Sequence, residues 1–231
     1  MATNDSIHAG HRERLRKRFL DEGLDTFNDI NALELLLFYC VPRKDTNELA
    51  HRLINYFGNY TNVLSAPISE LRKVEGVSEF IATYISIQGA AVRYYMINRK
   101  LGGTVVRSTE DYGNILLPYF IGKNNETVMV LCLDAKCKVL CCREVSEGSV
   151  NAASISIRKI MDVALSSNAT SVILAHNHPS GLAVPSTEDI HTTRRVAKAL
   201  EAVDVILVDH LIVADADYTS LAQSGFYNAP R

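Results

Sequence analysis

The sequence predicts an all-α segment followed by an α/β segment built on a mixed sheet. Three observations predict it. Residues 11–98 carry apolar side chains at helical spacing, interrupted only by short turn signals. From Ser108 onward, helical stretches are interleaved with short apolar runs such as 127–134 and 171–175. Those runs do not alternate strictly with the helices, which argues for a mixed rather than an all-parallel sheet. The texture changes at Leu101-Gly102-Gly103, so two domains are expected, 1–103 and 104–231.

In the first segment, His11 opens a basic helix running to Phe19. Residues 32–39 form an apolar helix, ended by Val41-Pro42 because proline disfavours helical backbone in the residue before it. Asp45 is expected to cap the next helix, with Glu48 completing a capping box. Leu49, Leu53 and Ile54 share its inner face, and Gly58 stops it. Residues 69–74 and 80–95 read as two helices around a tight turn at Gly76. In the second segment, Ser108 caps a helix reaching about Phe120. Residues 127–134 are a strand, Ala135-Lys136 a turn, and 137–145 its antiparallel partner. Residues 155–166 are an amphipathic helix, 171–175 a buried strand, 186–202 a helix, and 205–213 a strand or strand pair.

Composition narrows the function classes. At 231 residues and 47% hydrophobic, the chain can build a sizeable core. Net charge is −2, and residues 1–103 hold 13 basic against 12 acidic side chains while 104–231 hold 11 against 14. Neither half is basic enough to argue for a nucleic-acid partner by charge alone. No apolar run approaches the roughly 20 residues of a membrane helix, so no membrane partner is expected. The first residues show no signal-peptide pattern, and a cytoplasmic location is expected. The five cysteines, Cys40, Cys132, Cys137, Cys141 and Cys142, lack the paired spacing of structural zinc sites. They read as reduced thiols serving as small apolar residues on strands.

The informative stretch is 175–189, which follows a buried strand and precedes a helix. His176 and His178 are two apart, so in extended backbone both imidazoles point to one side and can grip one cation. Pro179, Gly181 and Pro185 make a tight loop that returns the chain to Asp189 in the first turn of the next helix. Two imidazoles and one carboxylate give Zn²⁺ three protein ligands and leave a fourth position for water, the catalytic pattern. Zinc would lower that water's pKa from about 15.7 towards ~7. Ser186 and Asp189 also fit a plain capping arrangement at a helix start, which leaves Asp189 free for metal.

His176-x-His178-Pro179, Ser186 and Asp189 match every signature position of the JAMM motif of MPN/JAB-type zinc metalloproteases. With Ser180, Gly181 and Pro185, the stretch resembles the RadC family more narrowly. Two further stretches agree, Glu34 to Thr46 and Val208-Asp209-His210-Leu211-Ile212-Val213. The resemblance covers residues 10–225 and implies an MPN/JAB-like mixed-sheet fold with cytidine-deaminase-like layers. It implies one zinc held by His176, His178 and Asp189, in a hydrolase of peptide or isopeptide bonds. It also implies a glutamate just before the first long strand that moves the water's proton, which here is Glu126. Glu144 and Glu147 on the partner strand are rivals for that role. By the same resemblance Ser186 would steady an oxyanion, with helix capping as the competing role. Asp209-His210 is either a water-exposed strand-end pair or support for a ligand histidine. His191 reads as a surface residue.

The stretch around Leu71 to Ala82 resembles a helix-hairpin-helix turn, with Ser78 in place of the usual second glycine and Glu75 and Glu79 beside it. Those acids would repel a phosphate, whereas Arg12, Arg14, Arg16, Lys17 and Arg18 could bind one. The alternative function is therefore a DNA-binding, DNA-repair-associated accessory protein, with DNA held by the N-terminal domain. The substrate expected of the hydrolase is a protein or peptide that the sequence does not name.

Overall fold

The computed structural model describes residues 10–42, 45–100, 103–147 and 156–229, the side chains of Lys100 and Glu147 excepted. Leu101, Gly102 and Ile155, where a domain boundary and a helix start were expected, lie outside the described residues. The chain divides into two compact units, 1–92 and 93–231, and the division falls within one long helix.

The first unit is helical. Its elements are α1 (His11–Glu22), α2 (Asp29–Leu37), α3 (Asn47–Phe57), α4 (Tyr60–Ser65), α5 (Ile68–Leu71) and the start of α6 (Glu79–Lys100). Leu33, Leu37, Leu53, Leu71 and Ile85 are fully buried together in one core. Each such side chain contributes about 1.5–3 kcal/mol by leaving water. Two expectations need correction. Thr46, not Asp45, precedes α3, and no capping box forms. Thr46 already has helical backbone, and Asp45 Oδ1 still accepts the first N–H of the helix, that of Asn47, at 2.9 Å, while Glu48 pairs with Arg52. Helix α4 was not expected from periodicity. It starts because the Asn59 side chain accepts the Asn62 N–H at 2.8 Å.

The second unit carries α7 (Thr109–Leu116), β1 (Thr127–Leu133), β2 (Val139–Glu147), α8 (Ile157–Ser166), β3 (Ser171–Asn177), α9 (Thr187–Glu201), β4 (Ile206–Ala214) and β5 (Asp217–Ser220). The strands form one sheet in the order β2-β1-β3-β4-β5. Only β3 and β4 run parallel, so the sheet is mixed as the sequence predicts. Successive strand residues face opposite layers. Val128, Val130, Val172, Leu174 and Ile212 pack against α8 and α9. Met129, Leu131, Ile173, Leu211 and Val213 pack against α7 on the other side. Covering both faces explains why β1 and β3 read as continuous apolar runs.

The cysteines divide. Cys132 is fully buried on β1, where burial and the neighbouring Cys141 push its thiol up to about 12. Cys137 is exposed in the β1–β2 turn with φ of 56°, contrary to the expectation of a buried strand position. Cys141 and Cys142 are half-buried on the edge strand β2. Among the described residues no helix is long and apolar enough to cross a membrane.

Candidate metal centre

The site forms where β3 ends. The antiparallel register sets Val128 of β1 opposite His176 of β3, which carries Glu126 towards His178. His178 stays extended because its N–H donates to the Val213 carbonyl at 2.8 Å, prolonging the pairing with β4. Both imidazoles therefore leave the same face. Gly181 then turns the chain with φ of 83°, a conformation that suits glycine, and its N–H closes the turn on His178 O at 3.1 Å. The loop ends at Ser186, the cap of α9. Ser186 Oγ accepts the Asp189 N–H at 3.1 Å, and Asp189 Oδ2 accepts from Ser186 N at 2.7 Å and Ser186 Oγ at 2.6 Å. This capping box fixes the Asp189 carboxylate on the side facing the histidines.

Four predicted residues meet there. His176 Nε2 lies 2.9 Å from His178 Nε2, and Asp189 Oδ1 lies 3.2 Å from His176 Nε2. Asp189 Oδ2 is 3.5 Å from His178 Nε2. Glu126 Oε1 is 3.9 Å from His176 Nε2, and ligand atoms of Glu126, His176 and His178 all lie within 4.8 Å of one another. The His176 and Asp189 side chains are 1% exposed, against 19% for His178 and 14% for Glu126, so solvent reaches the cluster past the latter two. The hydrogen bond that protonated His178 donates to Asp189 raises its pKa against the opposing effect of burial. Burial works against ionising Asp189, but hydrogen bonds to both histidines and Ser186 hold it well below the ordinary carboxylate range. A cluster that keeps a buried carboxylate charged beside two imidazoles can hold a metal ion. The donor set fits one: ligands about 2.0–2.1 Å from a tetrahedral zinc stand roughly 3.3 Å apart, close to the observed spacings.

The remaining candidates sort as follows. Glu144 pairs with Lys123 Nζ at 3.0 Å and does not join the cluster. The Glu147 side chain lies outside the described residues. Asp209 and His210 are fully buried, which overturns the water-exposed reading. Asp209 accepts from Tyr112, Ser220, His210 N and Ala222 N on one face of the sheet. His210 turns to the other face and meets His176 Nδ1 at 2.8 Å. Burial, then the proximity of His176, holds its pKa well below the ordinary value. His191 is exposed, as expected.

Sequence reasoning missed two residues. Asn177, between the ligand-type histidines, faces away from them. Its Oδ1 accepts the Thr127 N–H at 2.7 Å, and its Nδ2 donates to Asn125 O at 3.1 Å and Lys123 O at 3.4 Å. It thus ties the segment carrying Glu126 to β3. Thr193, one turn beyond Asp189, bonds both the Asp189 carbonyl and His210 Nδ1 at 2.6 Å. The two-residue period of a strand was the available signal for Asn177: a polar side chain there must find partners on the far face.

In the first unit, the guanidinium of Arg12 lies 4.7 Å from the Phe38 ring centroid and donates to Val41 O at 2.7 Å. Arg16 lies over Tyr39 at 5.5 Å and Arg18 over Phe27 at 4.5 Å. At the hairpin-like turn, Glu75 pairs with Arg52 at 3.5 Å and Glu79 with Arg72 at 3.8 Å. Ser78 Oγ accepts the Ile81 N–H at 3.3 Å at the start of α6. Buried Glu34 accepts from Asn47 at 3.3 Å and meets His11 Nε2 at 3.0 Å, tying α1, α2 and α3 together.

Comparison with known proteins agrees with this geometry. Residues 106–226 match the family described as RadC-like JAB domain. A UPF0758 protein of Fusobacterium nucleatum is 35% identical, over 96% of this chain and 99% of its own length. UPF0758 proteins of Ruegeria pomeroyi and Rhodobacter capsulatus are also each 35% identical, over 94% and 91% of this chain and 96% and 99% of their own lengths. A family match spanning the sheet and the whole donor cluster, with relatives aligned nearly end to end, places this chain in the RadC family.

Proposed function

We propose that this chain is a zinc-dependent hydrolase of peptide or isopeptide bonds. The supporting observation is the convergence of His176 Nε2, His178 Nε2 and the Asp189 carboxylate, with Glu126 beside them on the solvent side. His176, His178 and Asp189 would hold the metal. Bound there, zinc would supply Lewis acidity, acidifying water and polarising the scissile carbonyl. Glu126 Oε1 takes the proton from the attacking water and returns it to the leaving nitrogen, so the amine departs neutral. Asp189, like His176 only 1% exposed, would offset the positive charge of the metal. Ser186 holds Asp189 in place; to reach an oxyanion, its hydroxyl would have to leave Asp189 Oδ2. The five free thiols suit a reducing compartment, and we place the protein in the cytoplasm.

Elemental analysis of protein purified without chelators tests the metal. Close to one zinc per chain is expected, with loss in Asp189→Ala. Zinc-free wild-type protein defeats the reading. Glu126→Gln should keep the metal yet lose cleavage of a fluorogenic peptide library by at least roughly 100-fold, the usual contribution of a general base. Unchanged cleavage by that variant would remove Glu126 from the chemistry.

A further inference from the structure

Behind the donor cluster runs a file of three buried side chains whose hydrogen-bond polarity can be worked out. Thr193 is fully buried on α9. Its hydroxyl carries one proton and donates it to the Asp189 carbonyl at 2.6 Å, the back-bond threonine makes within helices. Oγ1 can then only accept from His210 Nδ1, also at 2.6 Å. His210 has no exposure, and among the described residues its two ring nitrogens meet only Thr193 and His176, so burial favours the neutral ring. A neutral imidazole protonated at Nδ1 presents a lone pair at Nε2. That lone pair faces His176 Nδ1 at 2.8 Å, so His176 donates from Nδ1. What remains on His176 is the Nε2 lone pair, aimed at His178 and Asp189.

We infer that Thr193 and His210 are positioning residues that lock His176 in its Nδ1–H tautomer and so present its Nε2 lone pair to a cation. This rests on the metal-site reading given above. His178 reaches the same polarity independently, by donating from Nδ1 to Leu182 O at 3.1 Å. With both imidazoles neutral, two lone pairs face each other across 2.9 Å beside the Asp189 carboxylate. Such a group repels itself until positive charge sits among its members. The file also gives α9 two roles: Asp189 faces the cluster directly, and Thr193 acts through β4.

Long-range proton–nitrogen correlation spectra of zinc-free, histidine-labelled full-length protein, at a pH where free imidazole is neutral, read each ring's tautomer. His210 and His176 are expected to be protonated at Nδ1. Competition with a chromophoric chelator then reads zinc affinity. Thr193→Val should weaken it by roughly 10–100-fold, the usual effect of losing a support behind a ligand histidine. Thr193→Ser, which keeps the hydroxyl, should restore it. A wild-type spectrum with His176 protonated at Nε2 overturns the inference, as does Thr193→Val with unchanged tautomers and affinity. If Thr193→Val does not fold, the wild-type spectrum decides alone. If wild-type protein takes up no zinc, the metal reading falls, while the spectrum still decides the polarity of the file.

Discussion

Replacing Asn177 by alanine should detach the segment that carries Glu126 from β3. The side chain makes three hydrogen bonds: from Thr127 N–H to Oδ1 at 2.7 Å, and from Nδ2 to Asn125 O at 3.1 Å and Lys123 O at 3.4 Å. They are not equal in energy. Asn125 is exposed and Lys123 half-buried, so water can replace the two Nδ2 bonds at little net cost. Thr127 has no exposure, so its N–H would be left without an acceptor, at about 1–3 kcal/mol. Losing the amide's own packing adds about 1 kcal/mol, for a total near 3 kcal/mol. Denaturant unfolding reads the total, and hydrogen exchange at the Thr127 amide reads its location. Zinc uptake should survive, because the flanking imidazoles leave the opposite face of β3. Stability within about 0.5 kcal/mol of wild type, with the Thr127 amide still protected, would refute the reasoning.

Two further substitutions probe other parts of the fold. Gly89→Ala places a Cβ against the backbone carbonyl of Leu64, which cannot step aside as a side chain can. In place of the roughly 0.5–1 kcal/mol gain usual for glycine to alanine in a helix, unfolding should show a loss of about 1–3 kcal/mol. Asp209→Asn keeps an oxygen for the N–H groups of His210 and Ala222 but sets an amide nitrogen against the hydroxyls of Tyr112 and Ser220. A loss of about 2 kcal/mol is expected in denaturant unfolding. Burial and then the bond to Asp209 raise the Tyr112 pKa, so spectroscopic titration should find its phenol ionising at lower pH in this variant.

How much of this was legible depended on the range of the interaction. The shared face of His176 and His178 follows from the two-residue period of a strand, and the presentation of Asp189 follows from a capping box four residues long. Both are local, and both could be read. The capping box at α3 was misread although it is equally local: Asp45 does take the first N–H of the helix, at Asn47, but Glu48 turns to Arg52 instead of reaching back. The partner of Asp209 lies 97 residues away in Tyr112, and Asn177 reaches Lys123 and Asn125 about fifty residues back. No pattern in a window reports such contacts; they appear only once β1 and β3 are paired. The burial expected of the cysteines held at Cys40 and Cys132 and failed at Cys137 for a related reason. Apolar character suggested burial, but β2 is an edge strand and Cys137 falls in the turn that leads to it.

The buried carboxylate of Asp209 also changes where loss of activity should be sought. It clasps Tyr112 of α7 on one side of the sheet, and the next residue along the chain, His210, points to the other side and meets His176 of β3. A disturbance at Tyr112 can therefore travel through the thickness of the sheet to the imidazole of His176, although the two never touch. A mutational survey confined to the neighbourhood of the histidines would overlook it, and an inactivating change on α7 should be read as damage transmitted from the opposite side of the sheet.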